Sequence, residues 1–282
     1  MPNLICLGVE KSGTTYLWNI LKQNKKIFAI QKETEFFTFF NKKKNKSYHF
    51  NNLNEYQKLF KSINKEKYIL DVSTTYFSSK NAMKNINKFC KNPKIIISLR
   101  NPIDRAYSRY WMEAHKNISF INFSFVKFRK FFLNHGRKDI DKWNNVRIRG
   151  MYYNQLKKVF NIFGKKNVLI IFYEDFQNNK LKKKLSEFLG IKIKITNKRF
   201  AESLHSKNYF LHLIFNFSFK FYLKENLIIN FLKKIKRHLR KKILTRYPPI
   251  DAQTRAYLKS YYVNDIRKTE KLLNISLKNW YK

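Results

Sequence analysis

The chain has 282 residues, 44% of them hydrophobic, with 27 Phe and 17 Tyr. That is enough apolar material for a large core, and it excludes both a disordered tail and a small disulfide scaffold. Two cysteines, Cys6 and Cys90, offer neither a disulfide framework nor metal-ligand spacing. The formal charge of +42 invites a polyanionic partner, but lysines outnumber arginines 47 to 13 and Asn and Ile abound, as an AT-rich coding sequence imposes on any protein.

In chain order, Leu4 to Leu7 is a short apolar run that reads as a buried strand. Thr15 to Asn24 reads as a helix through Leu17, Ile20 and Leu21. Between them lie Gly8, Lys11, Ser12, Gly13, Thr14 and Thr15. Gly13 lets the backbone turn its N–H groups toward one point, the helix N-terminus adds its positive dipole end, and Lys11 supplies a full charge. A Walker A loop places its Lys after the second Gly. Here Lys11 precedes Gly13, so the loop is a relative of that motif and not a match to it.

Ile27–Ile30 is a further candidate strand, followed by Lys32-Glu-Thr-Glu-Phe-Phe37. Glu33 and Glu35 would point to the same side if this segment were extended. Tyr68–Val72 reads as a strand and Ala82–Cys90 as a helix. Ile95–Leu99 is another buried-strand run, ending at Arg100, and Pro102 opens a helix over Ile103–His115 that carries Ser108. Met151–Phe163 and Leu181–Leu189 read as helices around a strand at Val168–Tyr173. Strands alternating with helices predict an α/β fold with a parallel sheet covered on both faces, and place Arg100 beside the crevice where such sheets bind ligands.

Lys11-Ser-Gly-Thr-Thr15 after the first strand resembles the 5′-phosphosulfate loop of sulfotransferases that use 3′-phosphoadenosine-5′-phosphosulfate (PAPS). Arg100 with Ser108 eight residues on resembles that family's 3′-phosphate element. Lys32 to Phe37 is similar to the K-E-x-x-F-F segment of its heparan-sulfate-type branch and bacterial relatives. Asp71-Val-Ser-Thr-Thr-Tyr-Phe77 resembles a further family segment, with Val72 and Thr74 in place of the usual Lys and Pro. Gly150 to Gln155, Glu174-Asp175, Phe188-Leu-Gly190, Tyr247 to Arg255 and Trp280 follow in family order. The Lys-Gly-Arg-type cofactor loop has no clear counterpart; Lys198-Arg199 and Ser203 to Lys207 are the stretches available to replace it.

The resemblance implies one sulfotransferase domain over residues 1–282, with a P-loop-like three-layer α/β/α fold and a central parallel sheet. It implies PAPS as sulfuryl donor with no metal, held by Lys11, Ser12, Gly13, Thr14, Thr15, Arg100 and Ser108. It makes Glu33 the general base and Lys11 the group that stabilises the leaving oxygen, with Glu35 as the local competitor for the base. The acceptor it implies is a saccharide of a surface glycan or glycolipid. Two rivals remain at this point. A P-loop-like kinase would need a strand-end Asp for Mg²⁺, for which Asp71 is the available residue. A basic nucleic-acid-binding protein would leave both phosphate elements unexplained.

A basic, aromatic helical subdomain is expected as an insertion at about 205–246. Its 209–244 stretch is interrupted by Lys220, Lys224 and Glu225, too soon for the ~20 apolar residues of a membrane span. Peripheral contact with an anionic membrane face is an alternative to a solvated basic surface there. The first strand begins within about three residues of Met1, which leads to the expectation of a cytoplasmic protein without a signal peptide.

Overall fold

The computed structural model describes residues 1–41, 50, 52–114, 124–134, 146–177, 180–195, 204–206 and 244–281. Five strands, β1 (Leu4–Gly8), β2 (Ile27–Ala29), β3 (Tyr68–Val72), β4 (Lys94–Leu99) and β5 (Val168–Phe172), form one sheet in the order β2-β3-β1-β4-β5. Every pair in it is parallel, with Leu4 opposite Leu70 and Lys94, and Ile95 opposite Val168. All five strands fall where the apolar runs predict them.

Strand side chains alternate between two cores, which is why the runs are continuously apolar. Ile5, Leu7, Ile95, Ile97 and Leu99 face one core, while Leu4, Cys6, Leu70, Val72 and Ile96 face the other. The second core is closed by α1 (Thr14–Leu21) through Tyr16, Leu17, Ile20 and Leu21, and by α8 (Lys180–Leu189) through Leu181, Leu185 and Leu189. The first is closed by α4 (Lys80–Phe89), α5 (Pro102–Ala114), α7 (Tyr153–Phe163) and α9 (Ala252–Leu273). The result is the expected three-layer α/β/α arrangement. Each fully buried Leu or Ile contributes about 1.5–3 kcal/mol, so the central strands anchor the fold.

The three further α-helices among the described residues are α2 (Phe36–Phe39), α3 (Leu53–Gln57) and α6 (Phe125–Asn134). Helix α1 ends at Leu21, short of the expected Asn24, and Cys90 caps α4 instead of belonging to it. The long α9 went unread in the sequence. Its start is marked by Asp251, whose carboxylate accepts from the Thr254 N–H at 2.8 Å. Its buried stripe of Thr254, Leu258, Tyr262 and Ile266 recurs every fourth residue.

Strands β6 (Leu204–Ser206) and β7 (Leu244–Arg246) pair antiparallel, Leu204 opposite Arg246. They join the two ends of the segment in which the basic helical subdomain was expected; residues 207–243 themselves lie outside the described residues. Among the described residues, no helix is long and apolar enough to cross a membrane.

Candidate active site

Strand order places the site. From β1 the chain crosses to β2 and β3 on one side, whereas β4 and β5 lie on the other. The carboxyl ends of β1 and β4 therefore meet at the reversal point, where open parallel sheets leave a crevice. The loop after β1 and the loop after β4 both open there, and both phosphate elements predicted from the sequence belong to them.

Strand β4 holds the first loop. Val9 N–H donates to the Ser98 carbonyl at 2.9 Å, and the Ser98 hydroxyl donates to the Ser12 carbonyl. Arg100 donates from Nη1 to the Lys11 carbonyl at 3.1 Å. Lys11 has φ 66° and Gly13 φ 81°, so the loop curls through two left-handed residues. At Gly13 a side chain is also excluded by space, since a Cβ would sit 3.0 Å from the Phe176 ring. Leu17 N–H makes the first helical bond, to the Gly13 carbonyl at 3.0 Å. The amides of Thr14, Thr15 and Tyr16 thus precede the helical ladder, as an anion-binding helix start requires. Ser12 and Thr14 are buried and Thr15 is exposed. The Ser12 hydroxyl has no hydrogen-bond partner among the described residues.

Arg100 is half-buried, with its guanidinium 4.4 Å from the Tyr173 ring centroid. Its carbonyl accepts from the Tyr152 hydroxyl at 2.8 Å. Next to it, Asn101 accepts from the Ile103 N–H at 3.0 Å and donates to the Trp280 carbonyl at 3.2 Å, tying the start of α5 to the C-terminal segment. Ser108 lies on α5 and is completely buried, and its hydroxyl has no partner among the described residues. The structure thus puts Arg100 at the crevice and Ser108 within the helix wall behind it. The Ser12 and Ser108 hydroxyls, one on each predicted phosphate element, are thus both buried without a hydrogen-bond partner among the described residues, which is uncommon for buried polar groups.

Glu33 follows β2 in the chain and sits beside the carboxyl end of β3. Its N–H donates to the Val72 carbonyl at 2.8 Å. One carboxylate oxygen accepts from the Thr74 N–H at 2.8 Å and the Thr74 hydroxyl at 3.1 Å, and the other pairs with Lys32. Thr74 stands where the family pattern has Pro, and its job here is visible: it supplies two donors to Glu33. A Cβ on Gly8 would come within 3.1 Å of the Thr74 carbonyl, so this hairpin of contacts abuts the end of β1 and the start of the Lys11 loop. The segment from Glu33 to Glu35 is not extended. Glu33 has φ 60°, Glu35 has φ 52° and caps α2, so the alternation that would align the two carboxylates does not apply.

Beneath Glu33, Asp71 is fully buried in a cage of hydroxyls. It accepts from Tyr56 at 2.7 Å, Tyr76 at 2.9 Å, Thr34 at 3.1 Å and Ser73 at 3.3 Å. Burial raises its carboxyl to about 6 against the lowering pull of these four donors. Ser73 also accepts from the Glu35 N–H at 3.1 Å, so the cage fixes the segment on which Glu33 sits. With its oxygens spent inside the protein, Asp71 is not the crevice-facing ligand the kinase reading needs.

The sequence reading missed Glu10. It sits inside the loop, yet its carboxylate is turned back to Arg149 at 2.8 Å and Arg109 at 3.2 Å. Burial alone would raise its carboxyl; Arg149, Arg109 and Arg105 outweigh burial and hold it down to about 2. A carboxylate one residue before Lys11, in a loop next to a buried strand, was the available signal, since such a charge needs a nearby cation to be tolerated.

The model of the sulfotransferase domain family matches residues 1–247. This chain belongs to that family. Its similarity to a mouse heparan sulfate glucosamine 3-O-sulfotransferase 3B1 is 28% identity over 203 residues, covering 71% of this chain and 49% of that protein. A mouse bifunctional heparan sulfate N-deacetylase/N-sulfotransferase 3 is 26% identical over 285 residues, covering 97% of this chain and 30% of that protein. The chain therefore spans about half or less of the length of these relatives. In fold it is similar to the crystal structure of a sulfotransferase from Alicyclobacillus acidocaldarius, with a TM-score of 0.71 at 19% identity over 100% of this chain and 99% of that one. The sulfotransferase domain of the Synechococcus PCC 7002 olefin synthase matches at a TM-score of 0.51 and 13% identity, over 88% and 96% of the two chains. The sulfotransferase fold expected from the motifs is the observed one.

Proposed function

We propose that the chain transfers a sulfuryl group from PAPS to a hydroxyl, or an amine, of a saccharide acceptor. The observation that carries this reading is the clasp at the β1 and β4 ends: Ser98 and Arg100 hold the backbone of the very loop that carries Lys11. One loop and one strand end are thereby built as a single anion site. The relatives named for heparan sulfate support a glucosamine-containing glycan as the acceptor class.

PAPS supplies an activated sulfuryl group whose departure leaves charge on the bridging phosphate oxygen. The residues have clear tasks in such a transfer, which depends on positioning and electrostatic stabilisation. The amides at the start of α1, with Ser12, Gly13, Thr14 and Thr15, hold the 5′-phosphate. Lys11 neutralises charge as it develops on the leaving oxygen. Arg100 spends one of its five donors on the Lys11 carbonyl and offers others to the 3′-phosphate, with the Ser108 hydroxyl behind it. Glu33, oriented by Thr74 and Lys32, takes the proton of the attacking hydroxyl.

The test is calorimetry with adenosine 3′,5′-bisphosphate in the absence of magnesium. The reading requires tight binding there and much weaker binding of ATP. A protein that binds ATP with magnesium and ignores the bisphosphate would be a kinase relative instead.

A further inference from the structure

Glu10 has no role in the transfer just described, yet it is built into the site with care. It precedes Lys11 in the loop, and its side chain is only 13% exposed. Each carboxylate oxygen meets a different element. Oε1 meets Arg109 Nε at 3.2 Å, and Arg109 follows Ser108 on α5. Oε2 meets Arg149 Nη1 at 2.8 Å, and Arg149 lies in the short turn Ile148–Gly150. That turn is itself seated against α9: a Cβ on Gly150 would come within 2.6 Å of the Tyr262 hydroxyl. Arg109 is further braced along its own helix by Glu113 at 3.0 Å.

A buried ion pair barely repays its desolvation, so such a pair is poor evidence for stability and better evidence for a fixed arrangement. What it fixes here is the loop that carries Lys11 relative to the helix that carries Ser108. We infer that Glu10 is a positioning residue that couples the two phosphate subsites, so that occupying either one sets the geometry of the other. The inference rests on the proposed reading of the loop as the 5′-phosphate subsite and of Arg100 with Ser108 as the 3′-phosphate subsite. Coupling of this kind is a free energy shared between two sites, and it appears as non-additive affinity.

The experiment measures the affinities of adenosine, AMP, adenosine 3′-monophosphate and adenosine 3′,5′-bisphosphate by calorimetry, in the wild type, Glu10→Gln and Arg109→Met. In each protein, the bisphosphate affinity is compared with the value expected if the two phosphates contributed independently. The excess in the wild type should fall by about tenfold in both variants, the range of ordinary coupling energies. Each monophosphate should bind within about threefold of its wild-type affinity. A general loss of structure would instead weaken all four ligands together, and thermal melts identify a variant that fails to fold. Arg109→Met leaves Glu10 its bond to Arg149 and so reads the same link in a milder background. An excess unchanged in both variants overturns the coupling while leaving the nucleotide reading intact. A wild type that binds none of the phosphorylated ligands overturns the nucleotide reading, and the coupling with it.

Discussion

The guanidinium of Arg100 donates to the backbone carbonyl of Lys11 at 3.1 Å, across 89 positions of sequence. The residue expected to read one phosphate thus shapes the loop expected to hold the other, and its loss should be felt at both.

Substituting Lys11 by Ala should leave the fold intact, because the side chain stands in a loop and takes no part in either core. Turnover should fall by ~10²–10³, the typical loss of one charge-stabilising donor. Steady-state transfer with a thermal melt alongside checks this; near wild-type turnover would remove Lys11 from the chemistry.

Arg100→Ala should weaken adenosine 3′,5′-bisphosphate by about 2–5 kcal/mol and adenosine 5′-phosphosulfate by less. Some loss for the second ligand is expected, because the Lys11 carbonyl loses its donor. Arg100→Lys should rescue little, since a single ammonium cannot serve the carbonyl and a phosphate with the fork geometry of a guanidinium. Equal losses for the two ligands would show that Arg100 supports the loop alone.

Glu33→Gln should keep nucleotide affinity and lose ~10²–10³ in the single-turnover rate, within the range of a positioned base. Thr74→Val deletes the 3.1 Å hydroxyl bond but keeps the 2.8 Å backbone bond to the carboxylate, so its loss should be smaller. Glu35→Gln should be milder still. A dead Glu35→Gln with an active Glu33→Gln would move the base to the cap of α2.

Two buried carboxylates should pull the pH dependence of stability in opposite directions. Glu10 is held down to about 2, so its pairing stabilises the fold above its ordinary value near 4.5 and is lost as pH falls toward 2. At neutral pH this amounts to about 3 kcal/mol at most. Asp71 is raised from 3.8 to about 6, so its folded form prefers the proton and stability declines as pH rises between those values. Urea melts from pH 3 to 8 should therefore lose the acid-side slope in Glu10→Gln. Asp71→Asn should lose the decline between about pH 4 and 6. Unchanged slopes would show that neither carboxylate titrates as its surroundings dictate.

Much of this molecule was legible in its sequence. The five strands are short apolar runs bounded by turn residues, a signal that survives without tertiary information, and Lys11, Gly13 and Arg100 announce themselves at strand ends. What was hidden depends on contacts far apart in the chain. Glu10 finds Arg149 over 139 positions, and Asp71 finds Thr34 over 37. Glu33 and Glu35 adopt left-handed backbone angles that no propensity favours for glutamate, which is why the extended reading failed. Helix α9 hid behind a stripe mixing Thr, Leu, Tyr and Ile, whose spacing is regular but whose polarity is not.

The most direct test of the central claim is transfer of labelled sulfate from PAPS to a panel of glucosamine-containing oligosaccharides, run with a metal chelator present. The account predicts labelled saccharide with the wild type, label lost in Lys11→Ala and Glu33→Gln, and no need for added magnesium. No transfer to any acceptor by a folded protein that also fails to bind adenosine 3′,5′-bisphosphate would contradict it.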